Sequence, residues 1–359
     1  MNELSTRQVS IMIVFLPLVF KLATLPSLLY DKAGPTAYIL IAILVIIELL
    51  QMLLVIFVCN QGGMEGIKER YGNTVYRVIS IPMLFVFAIK IILFLHEIST
   101  YVTSFLFYNS REFGSIMLIL ITALYIGIKG GRAIGRLFEV IVWIAPFVFL
   151  LGLFYGKLEF NEVHLNPLFN QNGDIYLDAI GKYLIYAFDF SPLLFMKVSI
   201  KKATPIAISS AVCFISVVGC YILLYGVYGN ASSYVHSAFS RLASFNSAVS
   251  ETGSLDWPSG LLWITSGILN VALKIGGVSV IMDNFHIKKT GTTIFALIIA
   301  IIMYYLLRTF DTMLEFCTGG VQYAVVIIEI GLPILLLLLY MVKKIGSEKG
   351  VTCDVKSNG

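Results

Sequence analysis

Residues 37–58 read AYILIAILVIIELLQMLLVIFV, in which Glu48 is the one charged residue. A helix needs about 20 such residues to cross about 30 Å of hydrocarbon, and comparable stretches follow one another almost end to end. Composition agrees: 58% of the 359 residues are hydrophobic, 13% are charged and the mean hydropathy is +0.89, whereas a soluble domain carries roughly 25% charged residues. Lipid offers no partners to backbone N–H and C=O groups, so only helices and closed barrels span it. Barrel strands read as weakly alternating segments of about ten residues. The long runs here therefore specify an all-α polytopic membrane protein.

Ten spans are predicted, at about 9–30, 36–59, 78–107, 113–128, 133–156, 178–199, 203–228, 257–282, 290–308 and 317–342. They form a single transmembrane domain over 1–345, in two groups of five (9–156 and 178–342), followed by a polar segment, 346–359, expected to be a mobile cytoplasmic tail. The opening MNELSTRQ leads into the first span without a small-residue cleavage pattern, so that span is expected to be retained.

Basic residues set the expected orientation. With both termini cytoplasmic, the inner segments hold sixteen lysines and arginines, among them Arg70, Arg132, Lys201 and Lys288, against five outside: Lys32, Arg111, Lys157, Arg241 and Arg308. The bias alternates span by span, as the positive-inside rule requires. The net charge of +4 thus follows from topology and does not point to nucleic acid.

Between spans, residues 62–78 are charged and glycine-punctuated, which predicts an interfacial cytoplasmic helix. In 230–250, apolar residues at Tyr234, Ala238, Leu242, Phe245 and Val249 predict an amphipathic helix lying on the outer face. Five cysteines, at 59, 213, 220, 317 and 353, show neither a disulfide framework nor metal spacing. HEIST (96–100) lacks the second histidine of a zinc-protease helix, and KGGRAIG (129–135) lacks the strand before a nucleotide loop. No catalytic site, metal or cofactor is indicated.

Charges inside spans carry more information, because an ionisable group at mid-membrane is expensive and faces a cavity or a partner. They are Lys21, Glu48, Lys90, Glu97, Asp189, Lys274 and Glu329. Lys90 can snorkel in part, and Glu48 and Glu329 can serve as buried hydrogen-bond partners within the packing. FKLATLP in span 1 and FDFSP in span 6 share a pattern, a charge shortly before a proline. Proline removes a backbone hydrogen bond, so both spans are predicted to be broken. Two interrupted helices, each first in a group of five, point to a 5+5 inverted-repeat, transporter-like bundle with its site at the midplane. Lys21 then faces an internal cavity, with Asp189 as its expected partner.

Several stretches resemble the spore germination permeases, the membrane B subunits of bacterial nutrient germinant receptors in the amino acid-polyamine-organocation superfamily. They are LSTRQ and LPSLL near the start, FLHEISTYV (94–102), GIKGGRAIGRLFEVIVWIAPFVFLL (127–151), LNPLF (165–169) and LDWPSGLLWITSGILNVALKIG (255–276). The resemblance implies Glu97 and Tyr101 beside the cavity, Lys274 on the facing bundle, and Phe188 to Ser191 as the unwound part of span 6. Val19, Phe20 and Lys21 depart from the small residues usual in that family, where bare backbone receives an anionic ligand. The lysine ammonium can replace those donors or fill the place of a coupling cation.

The resulting candidate site comprises Lys21, Ala23, Glu97, Tyr101, Phe188, Asp189, Ser191 and Lys274. The function implied is binding of a small nutrient such as an amino acid, with signalling through an A subunit and a lipoprotein C subunit in the inner membrane of a spore. The alternative is a proton-coupled transporter of amino acids or similar solutes.

Overall fold

The computed structural model describes residues 3–103, 112–158, 160–167, 173–235, 256–306 and 317–354. Helix α1 (Thr6–Lys21) begins on a reciprocal cap: Gln8 N–H donates to Ser5 Oγ at 3.4 Å, and Ser5 N–H donates to Gln8 Oε1 at 3.0 Å. The helix stops at Lys21. Chain direction resumes as α2 (Leu25–Ala33) with Pro26 in the first turn, where a missing N–H leaves no hydrogen bond unmade. There follow α3 (Ala37–Asn60), the short α4 (Gly63–Tyr71), α5 (Asn73–Tyr101), α6 (Glu112–Lys129) and α7 (Gly131–Leu158). Helix α8 (Gly173–Tyr183) then gives way to two 3-10 turns, Leu184–Tyr186 and Ser191–Phe195. Between them Phe188 takes a left-handed φ of 71°, an uncommon conformation for a bulky residue. The remainder is α9 (Thr204–Tyr228), α10 (Asp256–Asn284), α11 (Lys288–Leu306) and α12 (Gly320–Asp354).

Among the described residues, eight helical stretches are long and apolar enough to cross a membrane. The interrupted α1–α2 and the interrupted α8 with its 3-10 turns correspond to the first and sixth of the ten spans read from the sequence, and α2 runs on with α3 as one of the eight stretches, Leu25–Asn60. Both breaks fall where the charge-before-proline pattern put them, and the second is wider than Phe188 to Ser191, since regular helix ends at Tyr183. The interfacial helix expected over 62–78 is α4 with the first turn of α5. Of the amphipathic helix expected over 230–250, residues 236–250 lie outside the described residues, and Gly229–Tyr234 forms a 3-10 turn. The backbone of 346–354 continues α12.

Helix α3 shows how the spans sort their faces. Ile46, Leu50, Leu53 and Phe57 are exposed, while Glu48, Gln51 and Val55 are buried. Large apolar side chains thus face lipid and the polar ones face the interior, as a bundle in hydrocarbon requires. Small residues let backbones approach: a Cβ at Gly127 on α6 would lie 2.7 Å from Ile275 Cγ2 on α10.

The two ends of the bundle collect different segments. At one end, β1 (Glu3–Ser5) pairs in parallel with β2 (Lys197–Ser199), Glu3 opposite Lys197, and the Lys197 ammonium lies 3.0 Å from Glu65 of α4. At the other, Tyr30 donates to Asn230 at 3.1 Å and Asn161 N–H donates to Gly226 C=O at 3.0 Å. Segments that the basic-residue pattern assigned to one side of the membrane therefore do share one end of the bundle.

Candidate functional site

A broken helix frees backbone groups that lipid cannot satisfy, and at both breaks here they are met by side chains from surrounding helices. At the first, Tyr221 of α9 donates to the freed Lys21 C=O, while Asn270 of α10 donates to Leu16 C=O within α1 itself at 3.5 Å. The restarting half is held by Glu97 of α5, whose carboxylate accepts Thr24 N–H at 3.2 Å and also the Thr24 hydroxyl. At the second break, Lys21 Nζ donates to Tyr186 C=O at 3.1 Å, Lys90 Nζ donates to Ala187 C=O, and Asp189 N–H donates to Glu48 Oε1 at 3.3 Å. Each break is thus stitched by the chemistry of its neighbours.

The same side chains pair with one another. Lys21 bonds the Glu48 carboxylate; Lys274 Nζ lies 3.2 Å from Asp189 Oδ1; Lys90 Nζ lies 3.9 Å from Asp189 Oδ1 and 3.5 Å from Glu329 Oε2. None of these six residues is more than 2% exposed. Neutral partners extend the network. Ser191 donates to Glu329 Oε1 at 3.2 Å, Gln51 Nε2 donates to Ser191 Oγ at 3.3 Å, and Lys274 donates to Asn270 while its ammonium sits 4.5 Å over the Phe94 ring. Charges removed from water at this density are tolerable only when paired and hydrogen-bonded.

Two features leave the network incomplete. Asp189 Oδ2, Gln51 Oε1 and Glu329 Oε2 are buried acceptors without a hydrogen-bond donor among the described residues, Glu329 Oε2 having only the Lys90 ammonium at 3.5 Å. Glu97, 3% exposed, accepts from Thr24 and from the Tyr186 hydroxyl at 3.0 Å but, among the described residues, has no lysine or arginine within ion-pair distance. Among the described residues the interior therefore holds four buried carboxyl groups and three lysines.

The structure brings Lys21, Asp189, Ser191 and Lys274 into one network, and places Ala23 and Phe188, both buried, within the two breaks. One expectation is corrected: Lys21 does not pair with Asp189. Glu48 from α3 reaches the Lys21 ammonium first, while the Asp189 side chain is taken by Lys274 and Lys90; Glu48 links the two sites, bonding the Lys21 ammonium and the Asp189 backbone N–H. Tyr101 lies one turn beyond Glu97, with its ring 5.0 Å from that of Trp263 and outside the ion network. Lys90, Glu48 and Glu329, read from the sequence as a partial snorkeller and packing partners, are full members. Gln51, Tyr186 and Asn270 were not singled out. The spacings Glu48–Gln51 and Asn270–Lys274, three and four residues along a helix, carry the signal that could have found two of them.

No family model matches the chain, and no curated protein matches it. Among solved structures it is similar to a manganese transporter of Eremococcus coleocola, crystallised with an aromatic bis-isothiourea substituted compound. The identity is 13%, over 92% of this chain and 76% of that one, with a TM-score of 0.52. A histidine-to-alanine mutant of the same transporter aligns with the same identity and coverage and a TM-score of 0.49. At this identity the likeness is one of fold: the chain is a multi-pass membrane protein with a transporter-like bundle. Among the described residues, no group of three or more His, Cys, Asp or Glu side chains is placed to hold a metal ion.

Proposed function

We propose that this protein binds a small polar nutrient carrying an amino group, such as an amino acid, at the junction of its two broken helices, and that it serves as the membrane subunit of a spore nutrient germinant receptor. The reading is one of binding without catalysis. The observation that carries the ligand class is the open acceptor Asp189 Oδ2, buried beside the second break with Gln51 Oε1 also unfilled. A ligand ammonium satisfies such atoms, while the lysines offer donors to a carboxylate. A few convergent polar groups in an apolar surround are what orient a small ligand.

The receptor role rests on the family resemblance together with the lysines themselves. Lys21 and Lys90 hold cationic groups against the freed carbonyls of Tyr186 and Ala187, and a covalently tethered cation cannot enter and leave with a solute. A device of this kind suits ligand-dependent switching between two arrangements of the halves 9–156 and 178–342, read as inverted repeats, with the change passed to an A subunit and a lipoprotein C subunit at a spore's inner membrane. Only a difference in affinity between the arrangements can drive such a signal.

Glu97 favours a second reading, proton-coupled transport, because a carboxyl without an ion-pair partner can gain or release a proton without breaking a pair. The discriminating experiment uses the purified full-length protein. Thermal stabilisation is expected with amino acids, and saturating ligand at a hundredfold excess over Kd adds about 2.7 kcal/mol. Ser191→Leu should abolish it. Stabilisation by sugars or nucleosides alone would reject the ligand class, and robust uptake into liposomes by the isolated protein would replace the receptor reading with the transporter one.

A further inference from the structure

A groove lies between α7 and α9 with α1 as its floor. It is made of two adjoining cavities, of about 440 and 680 Å³, that share Val14, Phe15, Pro146 and Val212. Along α1 the lining runs from Thr6 to Leu18, a rise of about 18 Å at about 1.5 Å per residue. That is comparable to one leaflet's share of the hydrocarbon core, which is about 30 Å thick in all. Its rims, Leu150 and Ile215, are 64% and 69% exposed on the apolar flank of the bundle. Beyond its own stretch of helix, no described atom lies within 4 Å of where a Cβ at Gly219, in the groove wall, would sit.

The chemistry changes along the groove. The deep part is almost wholly apolar, whereas the shallow end is lined by Arg7, Lys201 and Lys202 beside Thr6. Arg7 shares its charge with Glu139 at 3.7 Å. Lys201 and Lys202 are exposed and have no acidic partner within ion-pair distance among the described residues. One helical turn deeper, about 6 Å along α1, Ser10 is 7% exposed and its hydroxyl has no hydrogen-bond partner among the described residues. Two unpaired cations at the mouth, an unsatisfied hydroxyl one turn in, and an apolar channel of leaflet depth match the parts of one molecule in order: an anionic headgroup, an ester linkage and an acyl chain. Basic pockets at the membrane surface between helices are where anionic lipid headgroups bind.

We propose that the groove holds one anionic phospholipid, its phosphate against Lys201 and Lys202, its glycerol esters beside Ser10 and an acyl chain along Phe15 and Gly219. The lipid would buttress α1, the helix that ends at Lys21 and the ion network.

Trp263 lines the deep end and is 5% exposed, which makes it a reporter. The test places full-length protein carrying Trp143→Phe and Trp257→Phe in phosphatidylcholine nanodiscs, doped with acyl-brominated phosphatidylglycerol or acyl-brominated phosphatidylcholine. Half-maximal quenching of Trp263 is expected at a several-fold lower fraction of the anionic lipid. Lys201→Gln with Lys202→Gln should bring the two curves together, and Gly219→Leu should lower maximal quenching by both lipids. Coincident curves for the unaltered groove, or a preference that survives loss of both lysines, would overturn the proposal. If the tryptophan replacements prevent folding, native mass spectrometry of the unaltered chain decides: retained phosphatidylglycerol lost in the double-lysine variant supports the site, and equal retention overturns it.

Discussion

At the scale of single residues, the interior is governed by which charge has which partner. Removing one member of a buried pair strands the other, at a cost of about 3–5 kcal/mol. Lys21→Met and Glu48→Leu should each be destabilising by that order in unfolding measurements, and the double variant should fall well short of their sum, because the two groups bond directly. A cycle between Lys21 and Asp189 should show a weaker coupling, since each has a different ion-pair partner. Equal coupling in the two cycles would mean that the pairing is wrongly assigned. Glu97 offers a contrast within the same core. Glu97→Gln breaks no ion pair and keeps an acceptor for the Thr24 and Tyr186 donors, so it should cost much less than Glu48→Gln, which leaves the Lys21 ammonium without its carboxylate. Comparable losses in thermal melts would indicate a cation beside Glu97.

At the scale of elements, the two broken spans were legible because proline and charge inside an apolar run have few meanings in lipid: one removes a hydrogen bond and the other demands an interior partner. The partners were less legible. Periodicity shows which face of α3 or α10 turns inward, but which carboxylate reaches which ammonium depends on how helices distant in sequence cross. Asp189 was paired with Lys21 because both sit before prolines, and the competing reach of Glu48 from α3 left no trace in either motif. The extent of the second break was hidden for a related reason. Residues 184–187 are apolar and give no breaking signal, and they leave regular helix because lysines from α1 and α5 hold their carbonyls. That dependence is testable: Lys90→Met removes the donor to Ala187 C=O and the cation facing Asp189 and Glu329. Amide hydrogen exchange should rise over 184–195 in this variant while α3 keeps its protection. Unchanged exchange over 184–195 would show that the break is held without Lys90.

At the scale of the whole molecule, the alternation of basic segments and the pairing of chain ends rest on different physics, yet they sort the connections alike. Charge bias reflects the cost of moving lysine and arginine across the membrane during insertion. The β1–β2 pairing and the Lys197–Glu65 contact reflect packing in the finished fold, and they bring residues 3–5, α4 and 197–199 to one end, with Gly226, Asn230 and Asn161 at the other. Which end faces the cytoplasm is a prediction of the sixteen-to-five distribution of basic residues, which expects it to be the end that carries β1 and β2. Four of the native cysteines, Cys59, Cys213, Cys220 and Cys317, are buried, so a reporter background needs chiefly Cys353→Ser. In intact cells, a membrane-impermeant maleimide should then label Ala231→Cys, at an exposed position beside Asn230, and should leave Lys201→Cys unlabelled until the membrane is opened. Labelling of Lys201→Cys alone would invert the whole bundle, and labelling of both from outside would mean that α9, the one span between them, does not cross the membrane.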